Sequence, residues 1–246
     1  MDIENIKNIE NIINVDNIPE SIAIIMDGNR RWAREKGLQD VEGHKAGADN
    51  IKKIAKFANK LGIKYMTVYA FSTENWKRSK TEVTALMFLF KKYLEDLLDI
   101  DTDVRVRVIG RRKELSKELL KAIENAEEKT KNNTGMTLNV AINYGGRDEI
   151  TTAARKIAEK YKNGDIKLED ITEELMSENM FTGGQSDPDV LIRTSGELRT
   201  SNFLPWQITY SEFIFAEKYW PAFDEMSLLE AIKEYQLRTR KFGGNK

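Results

Sequence analysis

Four segments of this 246-residue chain set arginine among small, hydroxyl or acidic residues, and each follows a short apolar run. In the first, Asp27-Gly28-Asn29-Arg30-Arg31-Trp32, backbone N–H groups at the start of a helix can cradle a phosphate while Gly28 lets it approach closely. Asp27 would repel that phosphate unless a cation sat between them. Mg²⁺ held by one or two carboxylates and the ligand's own oxygens meets that need. The plainer alternative makes Asp27 a helix cap and the arginines a solvated face. The second segment, Phe71-Ser72-Thr73-Glu74-Asn75-Trp76-Lys77-Arg78, gathers hydroxyls, an amide, a carboxylate, aromatics and cations. Packing alone does not account for that mixture. A later segment holds Arg193, Arg199 and Ser201, where guanidinium forks and a hydroxyl suit phosphate oxygens. Glu212 precedes the apolar FIF and is a candidate second metal ligand. His44, the only histidine, lies just before a predicted helix, where it could donate to an anion or simply be a satisfied, partly buried side chain.

The elements that must position these residues alternate. Apolar runs at IAIIM, Tyr65 to Ala70, VRVRVIG, MTLNVAIN, VLIRT and EFIFA read as strands. Amphipathic stretches read as helices over Lys45 to Leu61, Glu82 to Leu98, Lys117 to Lys131, Asp148 to Tyr161 and Leu228 to Arg240. Long crossovers between strands require a mostly parallel central sheet flanked by helices, so the class is α/β with one domain. In such sheets ligands collect beyond the carboxyl ends of the strands, which is where the arginine segments fall. The helix after Arg78 presents Val83, Leu86, Met87, Phe90, Tyr93, Leu94 and Leu97 on one face, a core face that could also line an apolar channel. Residues 1–17 read as a frayed extension or docking helix ahead of a domain at 18–246, and Lys162 to Ser186 as an irregular excursion.

Composition narrows the chemistry. Thirty-nine basic residues against forty acidic ones leave no general nucleic-acid footprint, so any anion site is local. No cysteine is present, which excludes disulfides and thiolate chemistry and, with one histidine, argues against zinc. The sequence shows neither a secretory leader nor a membrane-length apolar run, so a soluble, cytoplasmic enzyme is expected.

These motifs, in this order, resemble the cis-prenyltransferases, the isoprenyl transferase family of undecaprenyl diphosphate synthase. The likeness covers IAIIMDGN and RWA, GHKAG, YAFSTENW with Arg78, LNVAINYGGRDEI, DVLIRTSGE with RTSNF, WQITYSE and FGG. The resemblance implies the family's fold, a homodimer, an apolar tunnel, and Mg²⁺-dependent condensation of isopentenyl diphosphate with an allylic diphosphate of farnesyl or geranyl type, giving undecaprenyl diphosphate. It makes Asp27 the essential carboxylate, sets Gly28, Asn29, Arg30, Arg31, His44 and Arg78 around the allylic diphosphate, and counts Trp32 among the substrate-binding residues. Arg193, Arg199 and Ser201 match the isopentenyl pocket, and Glu212 the second carboxylate near Mg²⁺. Ser72, Glu74, Asn75 and Trp76 match the family's mobile loop, with Asn75 among the residues that could assist proton loss. A lipid product implies peripheral membrane contact; no nucleic acid is implied.

The chain departs from the family pattern at Ser21, Asp40, Leu198 and Lys241. Asp40 matters most, because a carboxylate replaces a cation expected beside the allylic diphosphate. Asp40 either faces that diphosphate or points to solvent, where Lys36 or Lys45 could pair with it. Two further readings follow: a shorter-chain isoprenyl transferase, or a noncatalytic subunit of a heteromeric one.

Overall fold

Every residue of β1 (Ser21–Ile25) is buried, and its side chains enter two cores in turn. Ile22 and Ile24 join the larger apolar cluster and Ala23 and Ile25 the smaller, because successive strand residues point to opposite faces. A strand covered on both faces belongs in a parallel sheet. The computed structural model describes residues 9, 11–97 and 103–239.

The remaining strands are β2 (Tyr65–Ser72), β3 (Arg105–Ile109), β4 (Thr137–Tyr144), β5 (Val190–Thr194) and β6 (Glu212–Ala216). They form one sheet in the order β3-β4-β2-β1-β5-β6, and every pairing is parallel. Helices α1 (Asn29–Glu35), α2 (Asp40–Leu61), α3 (Lys80–Leu97), α4 (Lys117–Thr130), α5 (Gly146–Asn163), α6 (Glu173–Glu178) and α7 (Glu225–Leu237) surround it. Ile51, Ile54, Leu94, Leu119 and Ile123 carry the helical side of the larger core. Tyr144, Phe203, Leu204 and Ile208 fill the smaller one.

Several boundaries differ from those expected. Helix α2 starts at Asp40, five residues ahead of Lys45, because a reciprocal cap between Gln39 and Glu42 satisfies its first turn. His44 is therefore inside the helix rather than before it. Helix α6 lies within the segment expected to be irregular, opened by the Thr172 hydroxyl, which accepts from Leu175 N–H at 3.3 Å. Between β5 and β6 no helix intervenes. Residues 195–211 are turns, with Ser195, Ser201, Asn202 and Leu204 all at positive φ. Ile9 and Ile13 are buried in the larger core, and Gln236 of α7 donates to the carbonyls of Asn14 and Asn17. Leu98, Arg240 and Lys241, together with FGG, fall outside the described residues.

Candidate active site

The chain runs from β1 to β2 on one side, while β5 and β6 lie on the other. That reversal opens a crevice at the carboxyl ends of β1 and β5, where parallel sheets hold ligands. Ile25 is in register with Arg193, so the segments that follow these positions meet there. Asp27 N–H donates to the Thr194 hydroxyl at 2.9 Å, and that hydroxyl donates to Asp27 C=O at 2.8 Å. Gly28 then turns the chain into α1 at φ 95°, a conformation that suits glycine. A Cβ there would stand 2.1 Å from the Ser195 hydroxyl. Gly43 performs a comparable task on α2: its bare Cα lets the helix pass against the Asn29 carbonyl, setting His44 beside α1.

Asp27 faces a cavity of about 480 Å³, and its two carboxylate oxygens have different partners. Oδ2 accepts from Arg193 Nη2 at 2.7 Å, while Oδ1 accepts from Gly28 N–H at 2.7 Å and lies 3.5 Å from Arg31. Burial pushes this carboxyl up. Arg193, the Gly28 amide and Arg31 together outweigh it, so Asp27 is held below the usual carboxylate range. Arg193 is only 3% exposed, and its Nη1 donates to Ser201 Oγ at 2.8 Å and to the Arg199 carbonyl. Its buried Nε has no partner within the protein. Across the cavity, Arg30 Nε donates to Asp40 at 2.8 Å and Arg78 Nη1 to Glu82 at 3.0 Å. Burial and the nearby Arg78 charge lower the His44 pKa, favouring the neutral ring.

Twelve of the residues singled out from sequence line this cavity: Asp27, Gly28, Asn29, Arg30, Arg31, His44, Ser72, Asn75, Arg78, Arg193, Arg199 and Ser201. Four do not. Trp32 lies on the side of α1 away from Arg30 and Arg34, about 200° around the helix from Arg30, and carries Lys36 over its ring. Glu74 turns outward and accepts from Asn202 at 3.1 Å, and the Trp76 indole donates to Asn143 at 2.8 Å. Glu212 opens β6 in register with Val190, at the amino end of the sheet. Three residues of strand separate Val190 from Arg193, roughly 10 Å, so Glu212 and Asp27 do not meet within one chain. Arg238 holds Glu212 at 3.0 Å instead.

The departures from the family pattern also find places. Asp40 turns neither to Lys36 nor to Lys45 but bridges Arg30 and Arg34, taking Arg34 through both oxygens at 2.9 Å. Those arginines, led by Arg34, keep its pKa low despite slight burial. Ser21 is buried at the amino end of β1, remote from the cavity, and Leu198 is exposed. Sequence reasoning missed Arg34, Tyr69 and Glu82. Arg34 follows Arg30 by one helical turn, a spacing that could have revealed it.

A second, apolar pocket continues from the first, sharing Met26, Asn29, His44, Ala70 and Leu86 with it. It runs between α2, α3 and the sheet past Ala48, Ile51, Phe90 and Leu94. Its free volume is about 40 Å³, against about 480 Å³ for the first.

Among the described residues, no group of three or more His, Asp or Glu side chains could hold a metal unaided. The donor set does fit Mg²⁺ brought by a phosphate ligand, since one carboxylate with ligand and water oxygens suffices for that ion. A basic cavity with a single carboxylate, adjoining an apolar pocket, suits a ligand with an anionic head and an apolar tail.

The comparisons agree with that chemistry. Residues 25–243 match the family model described as "Putative undecaprenyl diphosphate synthase". The ditrans,polycis-undecaprenyl-diphosphate synthase ((2E,6E)-farnesyl-diphosphate specific) of Micrococcus luteus is 52% identical over 92% of both chains. An isoprenyl transferase of Bacillus thuringiensis is 51% identical over 92% of this chain and 89% of its own. The crystal structure of lavandulyl diphosphate synthase from Lavandula x intermedia in complex with dimethylallyl diphosphate superposes with a TM-score of 0.90 at 39% identity, covering 93% of this chain and all of that one. The chain belongs to the undecaprenyl diphosphate synthase family, the cis-prenyltransferases, and is an enzyme of the isoprenyl transferase class. Among the described residues no helix is long and apolar enough to cross a membrane.

Proposed function

We propose that this chain condenses isopentenyl diphosphate with an allylic diphosphate to extend a cis-polyprenyl diphosphate, with undecaprenyl diphosphate as the product. The observation that carries this reading is the gathering of Asp27 with Arg30, Arg31, Arg78, Arg193 and Arg199 around one cavity that adjoins an apolar pocket. Two diphosphates need two sets of cations. An isoprenoid tail needs an apolar wall.

In this reaction the allylic C–O bond breaks and its electron pair leaves with the diphosphate. The isopentenyl double bond then supplies electrons for the new C–C bond, and a proton is lost to form the new double bond. The side chains here stabilise charge as it develops on the leaving oxygens, a task suited to fixed guanidiniums. Mg²⁺ would be held by Asp27 and diphosphate oxygens, neutralising part of that charge when bound. Asn75 Oδ1 accepts from Ser72 N–H at 3.1 Å, which fixes the turn carrying both residues at the cavity edge. A neutral amide does not take up a proton in water, so Asn75 orients the reacting groups, and the base is another group.

Homodimerisation belongs to this proposal. Tyr210 and Leu237 are exposed near β6, the sheet's open edge, a surface suited to a second copy. Cytoplasmic action with peripheral membrane contact also belongs to it, since a long prenyl product partitions into lipid. A second reading is a shorter product, its length set by how far the apolar pocket between α2 and α3 opens to the tail. The meeting of Asp27, Arg193, Arg199 and Ser201 at one cavity speaks against a noncatalytic subunit. Purified enzyme with labelled isopentenyl diphosphate, Mg²⁺ and dimethylallyl, geranyl or farnesyl diphosphate tests these readings by product length. Long products from farnesyl diphosphate support the first, a single short product the second, and no product with any primer rejects both.

A further inference from the structure

Glu82 opens no motif, lies in the first turn of α3 and lines the space beside the cavity, yet its Oε1 is where the cavity-lining Arg30, His44 and Arg78 converge. It lies 3.0 Å from Arg78 Nη1, 3.8 Å from Arg30 Nη1 and 3.8 Å from His44 Nε2. His44 Nε2 is buried and has no hydrogen-bond partner. Three donor-bearing groups from α1, α2 and the segment before α3 thus surround one carboxylate oxygen. That is the environment a phosphate oxygen would require.

We infer that Glu82 is an internal counter-ion that competes with the diphosphate for Arg30, Arg78 and His44, and so promotes departure of inorganic diphosphate between condensations. The inference rests on the proposed function. Each condensation leaves a diphosphate in the cavity, and its affinity for the arginines would delay the next cycle. A carboxylate already within reach of the same donors weakens that hold, because two anions in a partly desolvated site repel. Asp40 reinforces this effect, since it holds Arg30 through Nε at 2.8 Å. Glu82 touches no reacting atom in this scheme; it is a release-determining residue, and product release limits turnover in many enzymes.

The experiment compares wild type with Glu82→Gln, which keeps an oxygen for Arg78 but removes the charge. Inhibition by inorganic diphosphate is measured with Mg²⁺ under steady-state turnover, alongside the rate of the first condensation in a rapid-quench experiment. The inference predicts inhibition tightened about tenfold, the scale of one charge-assisted contact. It also predicts slower steady-state turnover and a first-condensation rate within about twofold of wild type. Unchanged or weaker inhibition would overturn it, as would a first condensation slowed as much as turnover. If Glu82→Gln does not fold, Glu82→Asp, which draws the charge back from Arg30 and His44, should shift inhibition in the same direction by a smaller factor. A shift the other way would reject the inference. Wild type that makes no prenyl product rejects the proposed function instead, so the two failures are distinct.

Discussion

Asp27 and Glu149 are both carboxylates drawn out of water, and the protein treats them in opposite ways. Asp27 borders the cavity, and its partners include two guanidiniums that a ligand could share. Glu149 is only 1% exposed, and its partners are neutral: the Tyr144 hydroxyl, the Phe181 amide at 2.6 Å and the Gln207 amide at 3.2 Å. Burial raises the Glu149 pKa because those donors do not offset it, whereas charge keeps that of Asp27 low. A carboxylate kept ionised by arginines is available to metal and diphosphate. One enclosed by neutral donors serves the fold, here by pinning α5 to the turns after β5.

The largest expected effect separates these roles. Asp27→Ala should reduce turnover about a thousandfold or more, far beyond what the accompanying fall in thermal midpoint from leaving buried Arg193 without its carboxylate explains, because the lost group would stabilise charge that develops in the reaction. Glu149→Ala should do the reverse in kind, lowering unfolding free energy by about 2 to 4 kcal/mol through three stranded donors, as denaturant melts would show. Their pH dependences differ in sign. The raised Glu149 pKa contributes stability that is present below the ordinary carboxyl range and lost as pH rises through the raised value; Glu149→Gln should remove that slope. The lowered Asp27 pKa contributes stability present above the ordinary range and lost as pH falls through the lowered value, and Asp27→Asn should remove that one.

Arg199 offers a smaller test on the cavity side. It is 62% exposed and paired with Glu197, so Arg199→Ala should raise the KM for isopentenyl diphosphate about tenfold with kcat little changed. Arg193→Ala should affect both constants, because it also removes the principal partner of Asp27. The smallest effect is expected at Asp40. Asp40→Asn frees Arg30 and Arg34 and should lower the allylic KM about twofold to threefold at low ionic strength, the difference fading as salt rises. A large effect that persists in high salt would show that Asp40 reaches the diphosphate itself.

The sequence carried the sheet because strand residues such as Ile22 to Ile25 are apolar on both faces, a pattern that few other structures produce. It carried the cavity because the arginine segments at the ends of β1, β2 and β5 meet where parallel strands gather their carboxyl ends, although the fourth, after β4, supplies no cavity residue. Glu212 follows the converse of that rule: a residue at the start of a parallel strand sits at the amino end, away from Asp27 of the same chain. Glu82 and Asp40 were hard to place because an acidic residue in a first helical turn is ordinarily a solvated favourable charge. Only the meeting of α1, α2 and α3 reveals which arginines they hold. Helix α6 is short and polar, with no buried residue, so no apolar period announced it.

The central claim is that diphosphate binds at the carboxyl ends of β1 and β5 and the prenyl tail runs between α2 and α3. A crystal structure with Mg²⁺ and a non-ionising allylic thiodiphosphate tests it most directly. The account predicts the diphosphate among Arg30, Arg31, Arg78 and Asp27, with the hydrocarbon against Ala48, Leu86 and Phe90 in a widened channel. A diphosphate bound away from Asp27, or a tail directed into the neighbouring space lined by Val41 and Ala85, would contradict it.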